Sequence, residues 1–247
     1  MSLVVTDAIV LQCFPYGETS RIVRMLTRTA GVQSAIARGA SRPRSRYAVL
    51  EPFAEGPASL YIRPNRDLQT LGSFDVSRSR QALGQDLLRF GGASLVAELV
   101  MRTASEEGQE GLFNAVSVGL DGLMAADARA VECRLLATVW HLVTVLGFQP
   151  ELDACIACGA DVDAGRAATF DYSAGGLRCD DCAAGLPGRR IPAHARAALA
   201  AFCRGEAHDV TVREGHWRLL SRYLEHHLLE GAPLRSLHFL AASLSVG

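Results

Sequence analysis

Apolar and polar positions alternate over short distances in the first third of the chain, a pattern typical of β-strands. Residues 58–63 show it most cleanly, because Ala58, Leu60 and Ile62 fall on one side of an extended chain and the residues between them on the other. A Pro-Asn-Arg-Asp turn at residues 64–67 follows. Similar runs, each bounded by turn signals, occupy residues 3–12, 20–28, 32–38 and 68–76. The pattern therefore predicts five strands within the first 80 residues.

Five short strands in so little sequence predict a small closed barrel. The oligonucleotide-binding fold, or OB-fold, is the common five-stranded barrel of this kind. From residue 77 onward the apolar positions recur every three or four residues instead, as on one face of a helix. We therefore expect an α+β protein, with an N-terminal OB-fold barrel followed by an α-helical domain.

The helical pattern is interrupted at several places. It predicts helices over residues 78–107, 110–126, 128–148, 193–204, 216–230 and 233–244. Gly91-Gly92 predicts a kink or break in the first of them. The expected domains are a barrel at residues 1–80 and a helical domain at residues 81–247, with a cysteine-containing module inserted at residues 151–187.

That module contains the most specific motif of the chain. It reads C-x2-C, a gap of 20 residues, and a second C-x2-C, formed by Cys155, Cys158, Cys179 and Cys182. Two such knuckles can present four thiolates to one tetrahedral zinc ion. Disulfides are the competing interpretation, which the lack of a signal sequence disfavours. Because four thiolates leave no open coordination position, we expect one structural Zn²⁺ and no catalytic metal.

The composition argues against several kinds of enzyme. All 25 basic residues are arginine, so a P-loop lysine and a Schiff-base lysine are both impossible. The first Arg is Arg21, so a charged signal-peptide segment is missing, and the longest charge-free apolar run, residues 135–150, is too short to span a bilayer. We expect a cytoplasmic protein that contacts no membrane and uses neither of these lysine chemistries.

Positive charge is concentrated near the N-terminus. Residues 1–80 carry 11 Arg against 6 acidic residues, a balance of +5, although the net charge of the whole chain is −1. The densest stretch, 38-RGASRPRSRY-47, contributes Arg38, Arg42, Arg44 and Arg46, and Arg21 and Arg24 precede it on a predicted strand. Guanidinium groups bind phosphates, and an aromatic ring such as that of Tyr61 can stack on an unpaired base. The alternative is a solvated arginine-rich loop without a ligand.

Two stretches of the chain resemble a known family. The run "AIVLQCFPYGETSRIVRMLTRTAGVQSAIARGASRPRSR" followed by "LEPF", and "CIACG" followed by "FDYSAGGLRCDDC", are similar to the corresponding parts of the RecO family of bacterial recombination mediators. The resemblance covers most of the chain and implies an OB-fold barrel on a helical domain that carries a zinc module.

The resemblance also implies a function in DNA repair by the RecF pathway, on the nucleoid. It implies binding of single- and double-stranded DNA, annealing of complementary strands, and partnership with RecR and single-stranded-DNA-binding protein in loading RecA. The loop that contains Arg38, Arg42, Arg44 and Arg46 then corresponds to the DNA contact, and Arg21 and Arg24 are weaker candidates. The family often has Lys where this chain has Arg, which preserves phosphate binding but changes its geometry.

Two other classes of function stay open at this point. A zinc-stapled adaptor that binds RNA or protein would be distinguished by comparing single-stranded DNA with RNA of equal length. A zinc-dependent hydrolase acting on nucleic acid would be revealed by metal-dependent cleavage, although a closed four-thiolate shell disfavours it.

Overall fold

The computed structural model describes residues 2–42, 45, 47, 50–105, 107–185, 188–207, 212, 214–229 and 232–244. Residues 241–244 are described for their backbone alone. Arg44 and Arg46, two of the predicted DNA contacts, lie outside the described residues. The chain forms two compact units. The first comprises Met1–Ala125 and Leu234–Gly247, and the second comprises Ala126–Pro233. The predicted domain boundary at residue 80 stays a prediction.

Five strands close a barrel in the first unit. They are β1 (Ser2–Tyr16), β2 (Ser20–Thr27), β3 (Gly31–Ala37), β4 (Glu55–Ile62) and β5 (Gln69–Phe74). Their order around the barrel is β1-β2-β3-β5-β4, and all neighbours are antiparallel except β3 and β5. This confirms the expected five-stranded OB-fold barrel, and helices follow it as predicted.

The first strand is longer than its sequence pattern indicates. Residues 2–9 of β1 pair with β4, and residues 8–16 pair with β2, with a register shift between Val10 and Gln12. This bulge leaves Leu11 as an extra residue and lets the strand bend from one partner to the other. The predicted end of the strand at residue 12 was therefore wrong, because the bulge carries the pairing on to Tyr16.

Two described residues of the loop between β3 and β4 pack into the interior of the barrel. Tyr47 and Leu50 are buried in the same core as Met25, Leu60 and Leu71. The hydroxyl group of Tyr47 donates a 2.7 Å hydrogen bond to the carbonyl oxygen of Leu71. The basic stretch is thus anchored at its C-terminal side by the barrel interior.

Three helices pack in the same unit as the barrel. A 3-10 turn at Gln81–Gln85 leads into α1 (Leu87–Thr103), which α2 (Glu110–Ala125) follows; the third of these helices is the last of the chain, α7 (Arg235–Leu244). Of the kink or break predicted at Gly91-Gly92, the break was wrong, since α1 continues through both glycines, and the kink stays a prediction. A Cβ atom at Gly91 would lie 2.8 Å from Cδ2 of Leu240, so this glycine allows close packing of α1 against α7.

The second unit combines four helices with a small sheet. The helices are α3 (Val131–Val145), α4 (Asp180–Ala183), α5 (Ala193–Cys203) and α6 (Glu214–His227). The strands are β6 (Ala168–Asp171), β7 (Gly176–Arg178) and β8 (Arg189–Ile191), in the order β7-β6-β8. The buried rings of Trp140 of α3 and Phe170 of β6 both contact the ring of Tyr223 of α6. Among the described residues, every helix falls short of the length or apolarity needed to cross a bilayer.

Candidate nucleic-acid interface and metal site

A row of paired residues, apolar except for Thr70, runs around the outer wall of the barrel. Each member pairs with the next across neighbouring strands: Phe14, Ile22, Ile36, Thr70, Tyr61 and Leu3. Their sequence neighbours Val23, Ala35 and Leu60 face the barrel core. Because side chains alternate along a strand, the row itself faces outward. We call these six residues the outer row.

Ile22 and Ile36 of the outer row are half-buried and lie on β2 and β3, the strands whose face binds oligonucleotides in OB-folds. Tyr61 and Leu3 lie further around the barrel, on β4 and β1. Leu3 is 56% exposed and Tyr61 is 36% exposed. The Tyr61 ring lies beside Gly72, where an added Cβ atom would come within 3.0 Å of Cε2. The glycine therefore makes room for the ring, which remains accessible for stacking on a base.

Arg24 continues the outer wall beyond the outer row. It is exposed and pairs with Gln12 on one side and Ser34 on the other. Arg21, three residues earlier, faces the other way. One of its Nη atoms lies 3.9 Å from Sγ of Cys13, and its Nε is buried without a hydrogen-bond partner among the described residues. The structure thus separates two arginines that the sequence placed together, and only Arg24 is on the outer wall.

Arg38 and Arg42 are exposed at the start of the loop that follows β3. The loop folds back on the β1–β2 turn, because the backbone N–H of Ser41 donates a 2.9 Å hydrogen bond to the carbonyl oxygen of Thr19. Tyr16, 51% exposed, lies at the end of β1 next to this turn. The described part of the basic loop therefore places two exposed arginines close in sequence to a residue that hydrogen-bonds to the turn beside an exposed aromatic ring.

The apolar members of the outer row were not predicted as functional residues from the sequence. Phe14, Ile22 and Ile36 resemble core residues in sequence, since an apolar residue does not reveal which face of a strand it occupies. Their alternation with Val23 and Ala35 is the signal that could have identified them, once the barrel interior was assigned.

The four predicted cysteine ligands form a cluster in the second unit. The Sγ atoms of Cys155, Cys158, Cys179 and Cys182 all lie within 4.8 Å of one another. Cys158 Sγ and Cys179 Sγ are 3.9 Å apart. A tetrahedral site with Zn–S bonds of about 2.3 Å has sulfur–sulfur distances of about 3.8 Å. The cluster therefore fits a four-thiolate metal ion.

Backbone geometry in the two knuckles holds these thiols in place. The N–H of Gly159 donates to the carbonyl oxygen of Cys155, and the N–H of Ala183 donates to that of Cys179. Gly159 has φ +74°, a left-handed conformation that glycine adopts without steric strain. Each C-x2-C segment is thus a tight turn that directs two sulfur atoms to the same side.

The four thiols of the cluster do not share one pKa. A backbone hydrogen bond from Cys179 lowers the pKa of Cys155 to about 6. Hydrogen bonds with Cys179 and Cys158 raise the pKa of Cys182 to about 12. Four thiolates this close repel one another, so all four ionise together only around a positive ion.

Comparisons with known proteins agree with this architecture. Residues 1–80 match the family model "Recombination protein O N terminal", and residues 84–238 match "Recombination protein O C terminal". A protein of Anaeromyxobacter sp. (strain K) named DNA repair protein RecO is 35% identical over 253 aligned positions, covering 97% of this chain and 96% of its own.

More distant relatives carry the same name. DNA repair protein RecO of Symbiobacterium thermophilum is 34% identical over 185 positions, covering 74% of this chain and 72% of its own. That of Rubrobacter xylanophilus is 33% identical over 193 positions, covering 78% of this chain and 76% of its own. With family models matching both parts of the chain, the protein belongs to the RecO family of DNA repair proteins.

Proposed function

We propose that this protein binds single- and double-stranded DNA and anneals complementary strands. In this proposal it works with RecR to load RecA onto strands coated with single-stranded-DNA-binding protein, on the nucleoid in the cytoplasm. It acts by binding alone and catalyses no reaction. The observation that carries the proposal is the outer wall of the barrel, where half-buried Ile22 and Ile36 lie between exposed Arg24 and Arg38 and the exposed ring of Tyr61 lies further around the wall.

The chemistry of this wall suits an unpaired strand better than a duplex. Tyr61 offers an aromatic ring, and every base has a face that can stack on it. Arg24, Arg38 and Arg42 offer guanidinium groups, which bind phosphates without reading the sequence. Stacking with phosphate binding would hold two complementary strands with their pairing edges free, as annealing requires.

The four-cysteine cluster has a structural role in this proposal. Zn²⁺ bound by all four thiolates would have no position for water or substrate. The cluster lies in the second unit, whereas the outer row and Arg24 lie in the first. The metal would stabilise the second unit, and no step of strand binding would pass through it.

Strand annealing is the experiment that tests this function. Two complementary oligonucleotides, one labelled with a donor and one with an acceptor fluorophore, are mixed with and without the protein, first bare and then coated with single-stranded-DNA-binding protein. We expect faster pairing in both cases and no requirement for a nucleotide cofactor. If the strands paired no faster with the protein than without it, and if the protein bound RNA more tightly than DNA of equal length, the protein would instead be an RNA-binding adaptor.

A further inference from the structure

A groove of about 510 Å³ lies beside the barrel in the first unit. One wall is the outer surface of β1 and β2, and the other comprises α1 and the start of α7. Its size falls within the range of sites that bind small organic groups. The described residues of the outer row and of the basic loop do not line it, so its chemistry needs a separate account.

The groove contains the exposed aromatic ring of Phe90, which packs against Phe53, a residue with an uncommon backbone conformation. Phe90 of α1 is 42% exposed, and its ring meets that of Phe53 edge-on with centroids 6.0 Å apart. Phe53 has φ +69°, a left-handed conformation that is uncommon for a bulky residue. Its N–H donates to the carbonyl oxygen of Val10 at 2.6 Å, and its own carbonyl oxygen accepts from Nη1 of Arg80 at 2.9 Å. These two hydrogen bonds fix the backbone of Phe53, whose ring packs against that of Phe90.

The charged residues of the groove favour an anion. Arg24, Arg102 and Arg235 line it, and all three are exposed. The acidic residue among the described lining residues is Glu98, whose carboxylate accepts hydrogen bonds from the backbone N–H groups of Arg235 and Ser236 and from the Ser236 hydroxyl. With three arginines and one glutamate among its described lining residues, the groove has a net positive charge.

The groove is continuous with the proposed strand-binding wall. Ile22 of the outer row and Arg24 of the groove both point outward from β2, two residues apart, which is about 7 Å along a strand. A single strand lying on the outer row therefore reaches the groove within one or two nucleotides. Arginine suits this place because guanidinium groups bind phosphates in pairs of hydrogen bonds.

We propose that the groove receives an unpaired nucleotide of a bound single strand, with its base on Phe90 and the adjoining phosphates on Arg24, Arg102 and Arg235. The inference rests on the proposed binding of single strands by the barrel. It adds that α1 and α7 take part in that binding. The continuity with β2 favours this occupant over an acidic peptide, which the same charges could attract.

Crosslinking of the full-length protein locates the strand directly. Oligothymidylates that carry one 5-iodouracil at successive positions are bound, irradiated and digested, and the crosslinked peptide is identified by mass spectrometry. We expect at least one position to crosslink within α1 at Phe90. If the protein bound the strand but crosslinked only through the barrel strands, the groove would not be a nucleotide site, and the proposed function would stand. Failure of the folded protein to bind any strand would overturn the proposed function itself.

Binding measurements with matched variants provide the energetic test. Phe90→Leu keeps an apolar side chain but removes the aromatic face. We expect both Phe90→Leu and Phe90→Ala to weaken single-strand binding at least about fivefold. Arg102→Gln with Arg235→Gln should flatten the log–log salt dependence by about 1.4, or 0.7 for each phosphate. The control, Arg129→Gln with Arg166→Gln, removes the same charge from exposed positions of the second unit and should leave the slope unchanged.

Two results would contradict the proposal. Equal slopes for the groove variant and its control would mean that the groove arginines hold no phosphate. Unchanged strand binding by the groove variant, with loss of binding to a glutamate–tyrosine copolymer, would assign the groove to an acidic peptide instead.

Discussion

The guanidinium group of Arg80 and the carboxylate of Glu55 meet at 2.7 Å in the interior of the first unit. The Arg80 side chain has no exposed surface, and that of Glu55 is 12% exposed. Arg80 also donates to Asp121 and to the Ser117 hydroxyl of α2, and to the carbonyl oxygen of Phe53. One buried cation thus joins the barrel, the left-handed Phe53 and the second helix.

Removing Arg80 should therefore destabilise the whole first unit. We expect Arg80→Ala to lower the free energy of unfolding by about 3 kcal/mol, the lower end of the usual loss for a broken buried ion pair. The buried Glu55 carboxylate would lose its 2.7 Å partner but keep the 3.4 Å ion pair with the partly exposed Arg78. Urea denaturation followed by circular dichroism measures the change. The exposed Arg66→Ala is the control and should stay within about 0.5 kcal/mol of wild type. Equal stability of the two variants would show that the network contributes little.

Loss of one cysteine ligand should release the metal. We expect Cys158→Ser to contain less Zn²⁺ per chain and to melt several degrees lower, since about 1 kcal/mol corresponds to about 2–4 °C in a chain of this size. Cys13→Ser is the control, because Cys13 lies in the barrel and outside the cluster. Atomic absorption and calorimetry measure the two quantities. If a chelator abolished strand binding by protein that remained folded, the metal would have more than a structural role.

Acid should weaken the connection between α1 and α7 through Glu98. Burial raises the pKa of this carboxyl group, but hydrogen bonds from Ser236 and Arg235 and the charge of Arg102 outweigh it and leave the pKa below its ordinary value. A lowered folded-state pKa means that the stabilisation is complete above the unfolded-state pKa and is lost as the pH falls through the folded-state value.

The variant Glu98→Gln tests this direction. At neutral pH it should be less stable than wild type by about 1 kcal/mol, the typical effect of losing a helix N-cap. The difference should shrink below about pH 4.5, where the unfolded carboxyl group begins to protonate. Urea midpoints at several pH values measure it, with Glu18→Gln as an exposed control. A difference that is constant down to about pH 3 would contradict the assignment.

Local sequence patterns predicted the elements whose signal lies within a few residues. The alternation at residues 58–63 and the cysteine spacing are both local, and both were confirmed as a strand and as a cluster. Gly91 was misread because its reason is distant: the absent side chain makes room for Leu240 of α7. The burial of Arg80 was invisible for the same reason, since its partners lie 25 to 41 residues away.

In the candidate site, too, only the features encoded by neighbouring residues could be predicted from the sequence. Exposed positions for Arg24, Arg38 and Arg42 agree with phosphate contacts, although their role stays a prediction. The opposite orientation of Arg21 follows from the two-residue period of a strand, in which residues three apart face opposite sides. The groove beside Phe90 could not have been inferred, because it forms only when α1 and α7 pack beside β1 and β2.

Tyr61 should contribute to strand binding without changing its salt dependence. We expect Tyr61→Ala to weaken binding of an oligothymidylate by about 1–3 kcal/mol, the usual contribution of base stacking on an aromatic ring. The salt slope should be unchanged, because stacking releases few condensed ions. Fluorescence anisotropy at several salt concentrations measures both. Phe148→Ala, at a similarly exposed ring of the second unit, is the control, and an equal loss there would rule out a specific role for Tyr61.

The salt dependence of single-strand binding by the basic loop tests the central claim most directly. Arg42, Arg44 and Arg46 are replaced together by Ala, and the affinity for mixed-sequence and homopolymeric strands is measured from low to high salt. If all three hold phosphates, the log–log slope should flatten by about two, or 0.7 for each phosphate, and both kinds of strand should be weakened alike. A folded triple variant with unchanged affinity and unchanged slope would contradict the claim that this loop binds nucleic acid.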